Sequence, residues 1–212
     1  MAEGSQNATP DQATHTPEQH QGHAPDAAAS GSWTVAWDGV LFGTFNNQGG
    51  SRGDTEFRSQ NWLMAMANRP LGRGTFGATA MISLEPLSAP GRGYAEIFQI
   101  GEAYQGLQIT DHQHPHDLFM QLAASWSVQL GMRSRFTFVG APVGEPALGP
   151  VPFMHRASSA ENPFAPLAHH IFDSTHIASS VILGRYDLGI LSVEGSVFRG
   201  REPDEHHYDI DL

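Results

Sequence analysis

The sequence contains no cysteine and no lysine, and each absence excludes a class of function. Without cysteine there is no disulfide, no thiolate metal site and no cysteine nucleophile. All 11 basic residues are arginine, and 22 acidic residues outnumber them, which gives a formal net charge of -11. Nucleic acid is therefore not expected as a partner, because phosphate binding uses clustered Lys and Arg. Any transition-metal site must use His, Asp, Glu or Met.

The sequence also has no run of about 18 apolar residues, which excludes an ordinary transmembrane helix. A membrane β-barrel is compatible with this observation, because the strands of such a barrel alternate apolar and polar residues. With 212 residues and 40% hydrophobic content, the chain is long enough for one sizeable core or one barrel.

Residues 1–31 consist mainly of Ala, Gln, Pro, Thr, Asp and His, with almost no large apolar side chain. This composition predicts a disordered tail, because too little apolar surface is present to offset the entropy lost on folding. The segment also lacks the basic and apolar regions of a signal peptide. We therefore expect either a cytoplasmic protein or a sequence whose leader is missing.

Residues 32–212 show the period-2 alternation of β-strands. In the clearest stretch, Leu118 to Leu130, the apolar side chains share one face, and Gln121, Ser125 and Gln129 share the other. Similar patterns predict strands around 33–45, 57–68, 75–84, 135–140, 177–183 and 191–197. A tight turn is predicted over 184–187, and Ile210 to Leu212 is predicted to begin another strand.

Long and short connections alternate along the predicted strands. Long ones span 46–55, 86–116, 141–174 and the residues after 200, and short ones span 69–74, 131–133 and 185–187. In an up-and-down antiparallel meander this places every tight turn at one rim, as in outer-membrane β-barrels. The fold is therefore predicted to be all-β, an outer-membrane-type barrel of which this chain forms the first part. A soluble β-sandwich or barrel is the alternative.

Several motifs resemble a group of uncharacterised outer-membrane-type β-barrel proteins of Gram-negative bacteria. The resemblance covers residues 32–212 and rests on these segments: 138–150 (FVGAPVGEPALGP), 154–156 (MHR), 162–167 (NPFAPL), the histidine clusters at 112–117 and 169–176, and 200–205 (GREPDE). It implies a barrel in the outer membrane, in contact with lipid, and it implies no activity.

Nine of the 12 histidines follow the tail, and all nine lie in or beside the long connections. They are thus expected at one rim, where imidazoles together with nearby carboxylates would suit Zn, Cu(II), Ni or Fe(II). The alternative is that these histidines only bond to backbone and carboxylate groups and bind no ion. The candidate metal ligands are His112, His114, His116, Asp117, His155, His169, His170 and His176.

Known enzyme signatures fit this sequence poorly. The binuclear metallohydrolase pattern His-x-His-x-Asp-His is reversed at His116 and Asp117, the cupin glutamate is missing after the cluster, and Gly-x-Ser-x-Gly is absent. We therefore expect a non-catalytic outer-membrane protein for envelope transport or metal handling. A soluble periplasmic metal-binding β-protein is the first alternative, and a metal-dependent hydrolase or oxygenase is the second.

Overall fold

The computed structural model describes residues 31–51, 53–89, 93–95, 102–104, 107–110, 115–166, 169, 173, 175–200 and 206–212. Residues 1–30 of the tail, for which disorder is predicted, lie outside these residues. The strands are β1 (Thr34–Leu41), β2 (Thr44–Asn47), β3 (Thr55–Arg58), β4 (Asn61–Leu71), β5 (Gly74–Ile82), β6 (Glu102–Tyr104), β7 (Leu107–Thr110), β8 (Phe119–Gly131), β9 (Ser134–Gly144), β10 (Ala178–Leu188) and β11 (Leu191–Arg199). Two short 3-10 helices, Glu85–Leu87 and Phe153–His155, interrupt the connections.

Seven strands form one antiparallel sheet in the order β1-β4-β5-β8-β9-β10-β11, and β2-β3 and β6-β7 form two small hairpins. Consecutive strands of the large sheet are neighbours, so the predicted all-β antiparallel meander is confirmed. Within the described residues the sheet is open, with β1 and β11 at its edges. No helix in the described part of the chain is long and apolar enough to cross a membrane.

The connections alternate in length as predicted. Two-residue turns at 72–73, 132–133 and 189–190 define the tight-turn end of the sheet, and the connections 42–60, 83–118 and 145–177 define the long-connection end. The tight turn predicted over 184–187 is wrong. Gly184 instead pairs with Phe138 and Gly195 inside the sheet, and the turn forms at Gly189, whose φ of 62° suits glycine.

One face of the large sheet is apolar and exposed. Cross-strand pairing places Trp126 opposite Phe76 and Phe138, and Ile182 opposite Val197. The side chains on this apolar face are open to solvent, with 67% of Trp37, 55% of Ile182 and 75% of Val197 exposed. Arg69, which pairs with Phe76 near the tight-turn end, is a charged residue on this face.

The opposite face mixes polar and apolar side chains, with a buried apolar cluster that includes Val181 and Leu183, and it is covered at the long-connection end. Phe153, Met154 and Ile177 from the third long connection pack against Met81, Met120 and Val143, and Ile210 packs at the edge of this cluster. We call this the covered face.

Two local predictions are corrected by the packing on the covered face. A bulge in the β5-β8 pairing, between Met81 and Ile82, turns Met120 into the core instead of onto the apolar face. The strand predicted to begin at Ile210 does not form. That segment is held instead by the bond from the Leu118 amide to the His207 carbonyl, 2.7 Å long, and by the packing of Ile210.

Candidate metal centre

Three of the predicted histidines converge at the long-connection end. His116 immediately precedes β8, whereas His169 and His176 come from the connection between β9 and β10. One ring nitrogen of each lies within 4.8 Å of those of the other two. His169 and His176 are buried and His116 is nearly so, and this grouping can hold a metal ion.

Glu85 holds His116 in place. The His116 Nδ1 donates to Glu85 Oε1 at 3.1 Å, and the His116 amide donates to Oε2 at 3.2 Å. The Tyr94 hydroxyl donates to Oε2 at 2.9 Å, and the Asn61 amide donates to Oε1 at 3.3 Å. Four donors thus converge on a carboxylate that is 4% exposed, which fixes both the tautomer and the orientation of the His116 ring.

Asp173 holds the other two histidines. Its Oδ2 accepts from the His169 Nδ1 at 3.1 Å, and its backbone carbonyl accepts from the His176 Nδ1. The backbone also closes a turn here, because the Asp173 amide donates to the His169 carbonyl at 2.8 Å and the His176 amide donates to the Asp173 carbonyl at 2.8 Å. The Arg156 guanidinium binds Asp173 Oδ1. One short turn therefore supplies and orients two of the three imidazoles.

The same ring atom is used for support in all three histidines. Because each Nδ1 donates to an oxygen, Nε2 is the nitrogen that each ring offers to a metal. Zinc to nitrogen bonds are about 2.0–2.1 Å long, so nitrogens that share one ion lie roughly 3.3 Å apart in tetrahedral geometry. The ring nitrogens, which lie within 4.8 Å of one another, would therefore have to move closer together to share one ion.

Burial and neighbouring charges shift the pKa values at the centre in opposite directions. Burial by itself would lower the pKa of His116, but the charge and hydrogen bond of Glu85, together with the charge of Asp117, raise it above its ordinary value. Burial would raise the pKa of Glu85, yet the interactions with His116 and Tyr94 bring it below its ordinary value. Burial lowers the pKa of His169, and the positive charges of His116 and Arg156 add to that effect.

The remaining predicted ligands lie elsewhere or outside the described residues. Asp117 accepts a hydrogen bond from the His207 Nδ1 at 2.8 Å, and burial raises its pKa. The His155 ring contacts Trp62 edge to face, with 5.0 Å between centroids. Neither residue belongs to the group of three imidazoles. His112, His114 and His170 lie outside the described residues.

Sequence reasoning missed Glu85, Tyr94 and Arg156 as supports for this centre. Asp173, one of the carboxylates near the predicted imidazoles, supports two of them and lies outside the group of three. A signal for it exists in the pattern His169-x3-Asp173-x2-His176, because residues spaced i, i+4 and i+7 share one face of a helix. No local signal connects Glu85 to His116, which lies 31 residues further along the chain.

The chain matches no protein-family profile, no curated protein and no solved structure. The resemblance to outer-membrane-type barrel proteins therefore stays a prediction.

Proposed function

We propose that this protein binds a divalent transition metal through His116, His169 and His176. The observation that carries the proposal is the convergence of three imidazoles whose Nδ1 atoms are all held by oxygen acceptors. With each Nδ1 held by an oxygen, each imidazole would bind the ion through Nε2. Supports of this kind are typical of metal-binding histidines, because they fix the tautomer and raise the basicity of the ligand.

The ligand set favours zinc or a neighbouring transition metal over calcium or magnesium. Three neutral nitrogens suit Zn(II), Cu(II), Ni(II) and Fe(II), whereas Ca(II) and Mg(II) require oxygen ligands. Zn(II) is the first candidate, since it accepts three protein ligands and one exogenous ligand in a tetrahedron. Cu(II) is the main competitor, because it binds nitrogen sites more tightly than zinc does.

The supporting carboxylates favour binding over hydrolysis. A metal-dependent hydrolase needs a base within reach of the metal-bound water. Glu85 already accepts four hydrogen bonds, and the two side-chain oxygens of Asp173 are held by Arg156 and His169. Each of these carboxylates would have to break a supporting bond to act as a base. We therefore propose metal handling without catalysis.

The second part of the proposal concerns location. An exposed, predominantly apolar sheet face, whose Arg69 lies near the tight-turn end, suits contact with lipid. The strands of the large sheet are 8 to 13 residues long, which accommodates the roughly 9–11 residues of a tilted membrane strand. We propose that the apolar face contacts outer-membrane lipid, so that the metal centre lies at the membrane surface in the cell envelope.

The metal content of the purified protein tests the proposed metal centre. We expect the detergent-refolded protein to retain about one equivalent of zinc after dialysis, measured by elemental analysis. Replacing His116, His169 or His176 singly by alanine should abolish retention, because two ligands hold zinc far more weakly than three. The control is His207→Ala, which removes a histidine of the same end that lies outside the cluster. Equal zinc content in all four variants would refute the proposed centre.

Lipid association tests the second part independently of metal. We expect the refolded protein to float with phospholipid vesicles in a density gradient, with or without zinc. A protein that binds zinc but sediments free of vesicles would instead be the soluble periplasmic metal-binding protein of the alternative hypothesis.

A further inference from the structure

The tight-turn end of the sheet is positively charged, although the whole chain is acidic. Five arginines and two carboxylates lie within four residues of the three tight turns, which gives this end a net charge of +3 against -11 for the chain. The arginines are Arg69, Arg73, Arg133, Arg135 and Arg185. Both carboxylates are already paired, since Arg185 donates to Asp187 at 2.7 Å and to Glu194 at 2.9 Å. The remaining charge suits an anionic partner.

A groove on the apolar face opens beside one of these arginines. It is lined by Leu71, Gly72, Arg73, Trp126, Val128 and Leu130, and it holds about 530 Å³ of open space. Arg73 is the only charged residue in this lining. It is exposed, and it has no carboxylate partner in the described part of the chain. An apolar groove with one cationic group matches a lipid, which joins a hydrocarbon chain to a charged headgroup.

Arg73 lies at the depth at which such a headgroup is expected. It directly precedes Gly74, which pairs with Val128, four residues from Ala124 in the middle of β8. At about 3.3 Å per residue, Arg73 is therefore about 16 Å along the strands from Ala124. For strands tilted by about 40° this is a depth of roughly 12 Å, or half of the apolar band of about 25 Å that membrane barrels present to lipid.

We propose that the groove binds an anionic glycerophospholipid. One acyl chain lies along Trp126 and Val128, and the Arg73 guanidinium donates hydrogen bonds to the phosphate. Arg133, which is exposed in the neighbouring turn, adds a second positive charge. A headgroup with net negative charge is preferred over a zwitterionic one, because the chain's own carboxylates do not balance this end. The inference rests on the proposed contact of the apolar face with lipid, and the experiment below separates failure of the groove site from failure of that contact.

Tryptophan fluorescence measures contact with the groove, because bromine on an acyl chain quenches a tryptophan that it touches. The refolded full chain is placed in vesicles of equal parts phosphatidylcholine and phosphatidylglycerol, in which only one of the two lipids is brominated. We expect brominated phosphatidylglycerol to quench more strongly than brominated phosphatidylcholine. Trp126→Phe should remove the difference, whereas Trp37→Phe, which alters a tryptophan of the same face outside the groove, should keep it.

Replacing the groove arginine tests the headgroup contact. In Arg73→Gln the preference for phosphatidylglycerol at Trp126 should fall roughly fivefold, which is the contribution expected of one arginine near an anionic surface. The matched control is Arg199→Gln, which removes the same charge from an exposed position at the long-connection end of β11. This control should keep the preference.

The possible outcomes separate the two proposals. If neither brominated lipid quenches, both the lipid contact of the apolar face and the groove site are wrong. If the two lipids quench equally, the groove site is wrong and the lipid contact stands. An equal loss of preference in Arg73→Gln and Arg199→Gln would attribute it to the net charge of the chain and would also overturn the site. A difference that survives in Trp126→Phe would place the lipid outside the groove.

Discussion

The two faces of the large sheet carry opposite chemistry, although the same strands form both. On the apolar face, large side chains such as Trp37 and Val197 are exposed, and the charged Arg69 lies near the tight-turn end. On the covered face, the long connections bury His169 and Asp173, of which 2% and 1% are exposed. Charged and titratable groups are thus buried while apolar groups face outward. This inversion is unfavourable in water, and it is the observation that supports the proposed contact of the apolar face with lipid.

The largest expected effect comes from placing a charge on the apolar face. Ala124 is exposed in the middle of the central strand β8. In lipid vesicles, Ala124→Arg should lower the free energy of unfolding by about 2–4 kcal/mol, because arginine is costly near the centre of a bilayer. Unfolding by urea in the presence of vesicles measures the change.

The matched control carries the same arginine at the tight-turn end. Ile190 is fully exposed in the turn between β10 and β11, and Ile190→Arg should cost only about 0–1 kcal/mol, as expected for a position near the membrane surface. Equal and small costs for both variants would show that the apolar face is not in lipid, which would remove the main contrast between the two faces.

The second largest expected effect on stability concerns the carboxyl group of Glu145. Burial raises the pKa of Glu145, just after β9, to about 7 from an ordinary value of 4.5. The folded protein therefore favours the protonated form. Below about pH 4.5 Glu145 is protonated in both the folded and the unfolded state, so its burial does not lower the free energy of unfolding. That free energy then falls progressively as the pH rises from 4.5 through 7. At pH 8 the buried charge of Glu145 lowers the free energy of unfolding by on the order of 2–3 kcal/mol.

Glu145→Gln removes that cost. We expect the variant to be more stable than the wild type at pH 8 and to match it at pH 4.5, as measured by urea denaturation at both values. Glu161→Gln, an exposed position in the same connection, should change stability at neither pH. A Glu145→Gln gain of the same size at both pH values would mean that the burial of charge is not its cause.

The contrast between the faces was predictable from the sequence only where it depends on local pattern. The alternation of Leu122, Trp126 and Val128 with Gln121 and Ser125 predicts two different faces, because side chains alternate along a strand. The alternation of long and short connections likewise predicts that His116, His169 and His176 gather at one end. These features can be predicted without knowing which side chains contact each other in the folded protein.

What the sequence could not predict depends on packing between distant segments. The bulge that buries Met120 depends on the pairing of β8 with β5, and the support of His116 by Glu85 crosses 31 residues. The grouping of His116, His169 and His176, out of the five predicted metal ligands that the structure describes, likewise follows from how the second and third connections fold onto the covered face. Spacing alone carries no information about such contacts.

The smallest expected effect tests the support of the metal centre within the covered face. Asp173→Asn keeps the size of the side chain and the backbone carbonyl that holds His176, but it removes the charge that faces His169 and Arg156. Loss of such a support typically weakens metal binding 10- to 100-fold, which corresponds to about 1.4–2.7 kcal/mol. Competition with a chromophoric chelator measures the zinc affinity of each variant.

Asp117→Asn is the appropriate control, because Asp117 is also a buried carboxylate bonded to a histidine, but that histidine is His207, outside the cluster. We expect its zinc affinity to stay near that of the wild type. If both variants lose affinity equally, the loss reflects the charge of the whole long-connection end and not the hydrogen bond to His169. If only Asp173→Asn loses affinity while its circular dichroism spectrum is unchanged, the turn from His169 to His176 is a preorganised part of the metal centre, and the covered face buries Asp173 to orient metal ligands.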